Sequence, residues 1–147
     1  MTKFRVSAFL GSAAALVMLA ASPAVAADGN QAATDYNGPS GFPTWKCSSA
    51  NVVASDGCFT WDGDWFRIKD VKEDGHSAAL RWRMYLLDGS LYRSGTVWNT
   101  SGYITTRYLN KNFYEYGTLK FEACGGEWGT KKIIESTCSN LVVVDLG

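Results

Sequence analysis

The clearest pattern of apolar and polar positions runs through "SAALRWRMYLLDGSLYRSGTVW", residues 77 to 98. Ala78, Leu80, Trp82, Met84 and Leu86 alternate with Ala79, Arg81, Arg83 and Tyr85, the period of two that a half-buried strand requires. Asp88-Gly89 matches a two-residue hairpin turn with positive φ at both central positions, and it predicts a second strand returning beside the first. Counted outward from that turn, Leu87 faces Ser90, Leu86 faces Leu91 and Tyr85 faces Tyr92. Further out, Arg83 faces Ser94, Trp82 faces Gly95 and Leu80 faces Val97. The indole of Trp82 can cover the gap left by a residue without a side chain. Arg93 falls opposite Met84 on the otherwise apolar face, so it needs a sheet edge or an acidic partner.

Other segments predict strands by the same logic. "WFRIKDV" places Phe66 and Ile68 on one face against Arg67 and Lys69, and "TLKFEA" sets Leu119, Phe121 and Ala123 against Lys120 and Glu122. "YITTRYL" is rich in β-branched and aromatic residues but shows no inner side. "KKIIEST" is short, and the apolar run of "LVVVDL" suits a strand covered on both faces. No segment sustains a 3.6-residue period long enough for a substantial helix. About seven or eight short strands separated by Gly, Asn and Asp clusters predict an all-β chain, an antiparallel β-sandwich or small barrel.

The first 26 residues read differently. Lys3 and Arg5 precede the apolar run "VSAFLGSAAALVMLAA", and Ala24-Val25-Ala26 has the small-x-small form of a signal-peptidase site. Cleavage after Ala26 predicts an exported chain with no membrane anchor, and the lack of twin arginines points to general secretion. Residues 27–44, "ADGNQAATDYNGPSGFPT", have no hydrophobic period and read as a flexible N-terminal arm. Residues 45–147 then form a single domain.

Fourteen basic and fourteen acidic residues balance, and loss of Lys3 and Arg5 with the leader leaves a charge of about −2. That excludes the basic stripe a nucleic-acid binder needs. Cys47, Cys58, Cys124 and Cys138 all lie in the mature part, and an even count in an exported chain predicts two disulfides. Of the three connectivities, Cys47–Cys58 with Cys124–Cys138 is favoured, because each pair closes a short loop of small residues and turn formers. Zinc is the rival, but Cys-x-x-Cys spacing is missing, and no metal or cofactor is expected.

The stretch "WDGDWFRIKDVKEDGHSA" gathers acids near the only histidine, His76. An EF-hand needs Gly at the sixth loop position and oxygen at the third. From Asp62 the sixth position is Arg67, and from Asp70 the third is Lys72, so neither register works. Asp62-Gly63 and Asp74-Gly75 read instead as turns on either side of a strand. A calcium ion held by carboxylates that the fold assembles stays open. His76 and Ser77 are adjacent, so an extended chain points them apart. No Gly-x-Ser-x-Gly elbow or phosphate-cradling loop is present, and no pair of carboxylates stands out for glycoside hydrolysis.

Two surfaces are candidates for function. If Leu80, Trp82 and Met84 face the core, then Arg81, Arg83, Tyr85, Tyr92, Thr96 and Trp98 share the hairpin's outer face. Aromatic rings stack on sugars, and guanidinium forks bind carboxylates or carbonyls, so a glycan or protein ligand is expected there. The loop "CGGEWGTKKIIESTC" is the second, presenting Trp128 and Lys131 from a disulfide-closed segment as exported protease or amylase inhibitors do. A small hydrolase is a third reading. Asn99-Thr100-Ser101 also matches the glycosylation acceptor pattern.

The order "CFTWDGDWFRIKDVKEDGHSAALRW…YRSG…N…NKNF…LKFEAC", over roughly residues 58 to 124, resembles small exported actinobacterial all-β proteins of unassigned function. The resemblance implies export and an all-β domain, and it transfers no functional residue.

Overall fold

The computed structural model describes residues 26–48 and 54–147. The expected leader therefore lies outside the described residues, apart from Ala26. The chain forms β1 (Ala26–Ala32), β2 (Lys46–Cys47), β3 (Ser55–Thr60), β4 (Trp65–Asp70) and β5 (Ser77–Tyr85). After these come β6 (Leu91–Asn99), β7 (Thr106–Asn110), β8 (Thr118–Glu127), β9 (Lys132–Ile134), a 3-10 turn (Glu135–Thr137) and β10 (Val142–Asp145). The larger sheet has the order β1-β6-β5-β8-β10 with β9 also on β8, and the smaller has the order β2-β3-β4-β7. Among the described residues, only β1, lying parallel on β6, departs from antiparallel pairing.

The two sheets form a sandwich around one core. Phe59, Phe66 and Ile68 from the smaller sheet meet Leu80, Trp82, Met84, Val97, Leu119 and Phe121 from the larger. Aromatic contacts tie the layers, with Phe66 at 6.1 Å from Trp82 and 6.2 Å from Phe121 between ring centroids. Burial of such rings is the main source of stability in a domain of this size. Both disulfides join Cys47 to Cys58 and Cys124 to Cys138. The first links residues directly opposite each other in β2 and β3. The second ties β8 to the segment just after the 3-10 turn.

The central hairpin has the predicted register through most of its length. Leu80 pairs with Val97, Trp82 with Gly95 and Met84 with Arg93, and Trp82 is 1% exposed. A Cβ on Gly95 would stand 3.1 Å from the indole, so the missing side chain lets the ring lie close against β6. Arg93 has its acidic partner: its Nε and Nη2 donate to the Asp28 carboxylate of β1 at 3.0 and 2.7 Å.

The turn itself corrects the sequence reading. The Leu86 amide donates to the Ser90 carbonyl and the Gly89 amide to the Leu86 carbonyl, both at 2.9 Å, so Leu87-Asp88-Gly89 is a three-residue loop. Only Gly89 there takes positive φ, at +80°. The odd residue is absorbed by a bulge: Met84 pairs with Arg93 but Tyr85 with Leu91, which leaves Tyr92 unpaired rather than facing Tyr85.

Three further expectations change. The N-terminal arm is not free over Ala26–Ala32, because this segment is β1, held by its backbone ladder and by polar side chains that a hydrophobic pattern does not register. "LVVVDL" is not covered on both faces. Its strand β10 pairs with β8 alone at the sheet's edge, and Val143 is 54% exposed. "YITTRYL" starts its strand only at Thr106, since Ile104 turns through φ +67°.

Candidate functional site

The acidic stretch resolves into turns. Gly63 and Gly75 both take positive φ, and the Asp74 carboxylate accepts the His76 amide at 3.0 Å, an Asx turn leading into β5. The His76 ring pairs with Glu127 of β8. Among the described residues, the clusters of His, Cys, Asp and Glu close enough to share a metal are Cys47–Asp56–Cys58 and Glu122–Cys124–Cys138. Their sulfurs are bonded to each other, and a disulfide sulfur is not the thiolate a metal requires.

The outer face of the hairpin is not the open aromatic surface expected of it. Arg81 pairs with Thr96 as the register demands. Its guanidinium, however, is occupied by Glu122 at 2.9 Å and, through two bonds of 2.8 Å, by Glu135. The Glu135 bonds, opposed by burial and assisted by Glu122, raise the Arg81 pKa further. Tyr85 lies under the ammonium of Lys120. Trp98 is fully buried, its indole donating to Asn30 at 2.9 Å and its ring 5.9 Å from that of Trp128. Arg83 and Thr96 stay half-exposed, and Tyr92 alone of the three aromatics is well exposed.

Trp128 and Lys131 engage each other. The Lys131 ammonium sits over the Trp128 ring and donates to the Trp128 carbonyl at 2.6 Å. The β8–β9 turn thus serves as a cover over Trp98. Asn99 is also fully buried, its amide donating to the carbonyls of Ile68 and Thr105, so the folded protein has no accessible glycan acceptor there.

One group of exposed aromatic residues collects elsewhere, at the end of the sandwich where β7 passes into β8. The connecting loop, residues 111 to 117, reads "KNFYEYG". Phe113 is its anchor, buried among Phe59, Phe66 and Trp82 at centroid distances of 5.8, 5.8 and 5.0 Å. Its amide donates to the Asp64 carboxylate at 2.9 Å, and the Lys111 amide donates to the Asp64 carbonyl at 2.7 Å. Arg93 Nη1 donates to the Asn112 carbonyl at 2.6 Å, while Lys111 Nζ binds Asp28 and Gln31 of β1. At the far end Gly117 lies at φ +153°, and a Cβ there would fall 2.2 Å from the Tyr85 carbonyl oxygen.

A loop fixed at both ends and pinned in the middle pays little ordering entropy on binding. From it Tyr114 and Tyr116 project, 52% and 56% exposed, with Tyr92 of the bulge beside them. The ring centroids are 6.4 Å apart for Tyr92–Tyr114 and 5.9 Å for Tyr114–Tyr116, tilted by 58° and 64°. Two clefts border this ridge. One, of about 440 Å³, is lined by Leu86, Leu87, Asp88, Tyr92 and Tyr114. The other, of about 580 Å³, is bounded by Trp61, Asp64, Glu115, Tyr116, Asp145 and Leu146.

The larger cleft is acidic, and its lining carries no basic side chain. Burial raises the Asp64 carboxyl above its ordinary range; the Phe113 amide opposes this, and the Glu115 charge reinforces it. Asp64 also takes φ +57°, uncommon for a residue with a side chain, which directs its carboxylate at the loop it holds. The sequence marks this site only faintly. Three aromatics within four residues, "FYEY", sit outside any alternating pattern, so the core absorbs one of them and the other two remain outside. Trp61 and Asp64, three residues apart, and Asp145 lie far from that stretch in sequence and meet it only in the fold.

No protein-family model, curated protein or solved structure matches the chain.

Proposed function

We propose that this protein is an exported, non-catalytic binding module whose ligand docks on the aromatic end of the sandwich. The observation that carries this reading is the Tyr92–Tyr114–Tyr116 ridge, exposed aromatic area on a backbone already fixed by Phe113. Tyrosine gives large contact area for few rotatable bonds, which suits it to recognition. Export is supported by the small-x-small site at Ala24-Val25-Ala26 and by two disulfides, which persist in oxidising surroundings. No helix among the described residues is long and apolar enough to cross a membrane. The outer face of the hairpin is less suited, since Arg81 and Trp98 are already bonded within the chain. The same holds for Trp128 and Lys131, which weakens the inhibitor reading.

The immobilised protein, exposed to culture-supernatant proteins and to cell-wall polysaccharide, is expected to retain a partner. Tyr114→Ala/Tyr116→Ala should lose that partner while keeping its thermal midpoint. Equal retention by the double variant, or no retention by the parent, removes the reading.

A further inference from the structure

The two clefts beside the ridge differ in a way that specifies the partner. In one the walls are Leu86, Leu87, Tyr92 and Tyr114, with a single carboxylate, Asp88, which is already turned to Ser90 through bonds to its amide and hydroxyl. In the other, Asp64, Glu115 and Asp145 line the cleft together with Trp61 and Tyr116; Asp64 accepts the Phe113 amide and Asp145 the Thr118 hydroxyl, each through one carboxylate oxygen. Asp64, Glu115 and Asp145 do not bring three carboxylate oxygens within 4.8 Å of one another, the approach a shared metal ion would call for. Its size and lining suit an organic cation instead, whose charge is met by carboxylates and whose flat or methylene surface is met by rings.

The ridge geometry separates glycan from polypeptide. Tilts of 58° and 64° between neighbours deny the three rings a common plane, so they offer no single flat platform to a row of sugar rings. Tilted rings suit side chains that enter end-on. An acidic cleft and an apolar cleft bordering one tyrosine ridge accept a basic side chain and an apolar one from the same strand of polypeptide.

We infer that the aromatic end binds a segment of a protein partner that carries Arg or Lys close to an aliphatic or aromatic residue. The basic side chain enters between Trp61 and Tyr116 toward Asp64, Glu115 and Asp145, and the apolar one seats against Leu87 and Tyr92. This inference rests on the binding reading above and adds the chemistry of the partner. Charge complementarity also predicts exclusion: an acidic segment or a nucleic acid is repelled by the same carboxylates.

The test uses capped hexapeptides that pair Arg with Leu or Phe at each spacing, with citrulline-for-Arg and Glu-for-Arg counterparts and a neutral β-linked oligosaccharide. Binding is read from the Trp61 indole and the amides of Tyr114, Glu115 and Tyr116 by NMR. At least one Arg peptide should shift these signals, with affinity falling about tenfold or more in its citrulline counterpart and in Glu115→Gln/Asp145→Asn. The Glu peptides should not bind. Citrulline peptides binding as well as Arg peptides would overturn the cationic assignment and leave the aromatic surface in place. Shifts from the oligosaccharide alone would overturn the polypeptide assignment, again leaving the surface. Shifts with every probe confined to other residues would overturn both.

Discussion

Lys111 and Asp28 stand 83 positions apart in sequence, and the ammonium of one is bonded to the carboxylate of the other. With Arg93 on the same carboxylate, this contact fastens β1 to the loop that carries Tyr114 and Tyr116. The Lys111 side chain is 5% exposed and that of Asp28 11% exposed, so the charges depend on one another rather than on water.

Removing the shared carboxylate leaves Lys111, buried, and Arg93, partly buried, without their counter-charge. Asp28→Ala is therefore expected to cost roughly 3–5 kcal/mol in denaturant unfolding. The same variant should speed amide exchange across β1 and residues 111–117 more than across β8. Uniform exchange with an unchanged midpoint would show that the contact holds nothing.

The triad also shapes the acid limb of stability. Burial alone would raise the Asp28 carboxyl, but hydrogen bonds from Arg93 and Lys111, helped by their charges, bring it below its ordinary value. A depressed carboxyl stabilises the fold fully above the unfolded value of about 3.9, and this contribution is lost as pH falls through the lower folded value. Arg93, raised chiefly by its hydrogen bonds to Asp28, stays charged throughout. Asp64 and Asp70, raised chiefly by burial, act in the opposite sense and gain from protonation. The stability gap between parent and Asp28→Ala should accordingly narrow between about pH 6 and about pH 2.5. A constant gap measured by denaturant titration at both pH values contradicts the linkage.

Trp98 is a structural residue in this account. Trp98→Ala should destabilise the fold by about 3–5 kcal/mol, because it empties the space between β1 and the β8–β9 turn and leaves Asn30 without its donor. Calorimetry that finds the variant as stable as the parent would mean the ring is not enclosed.

Gly57 of β3 packs against Leu80 and Ala123 of the larger sheet. An added Cβ would meet Leu80 Cδ1 at 2.9 Å and Ala123 Cβ at 3.0 Å. Gly57→Ala is expected to cost about 1–3 kcal/mol by overpacking, and a neutral result in urea unfolding would show that the layers can part.

Gly57 also explains where the sequence was readable. Asp56-Gly57 is the same dipeptide that marks turns at Asp62, Asp74 and Asp88, yet here it lies inside β3, and the reason is a contact across the core. Trp82, Phe121 and Ile68 declared their faces by simple alternation, and burial follows it. The N-terminal strand did not, because Asp28 and Asn30 are polar residues whose partners, Arg93, Lys111 and Trp98, lie far along the chain. The aromatic end was hidden for the same reason. Tyr114 and Tyr116 were visible as residues, but their grouping with Tyr92 depends on a one-residue bulge that the Asp88-Gly89 pattern did not announce.

The central claim is that recognition belongs to the loop end and not to the hairpin's outer face. The most direct measurement compares partner affinity in Tyr114→Ala with that in Arg83→Ala, two exposed substitutions on different surfaces, each checked for an unchanged melting temperature. The account predicts a loss of about tenfold or more for Tyr114→Ala and parental affinity for Arg83→Ala. Parental affinity in Tyr114→Ala with a loss in Arg83→Ala would contradict it.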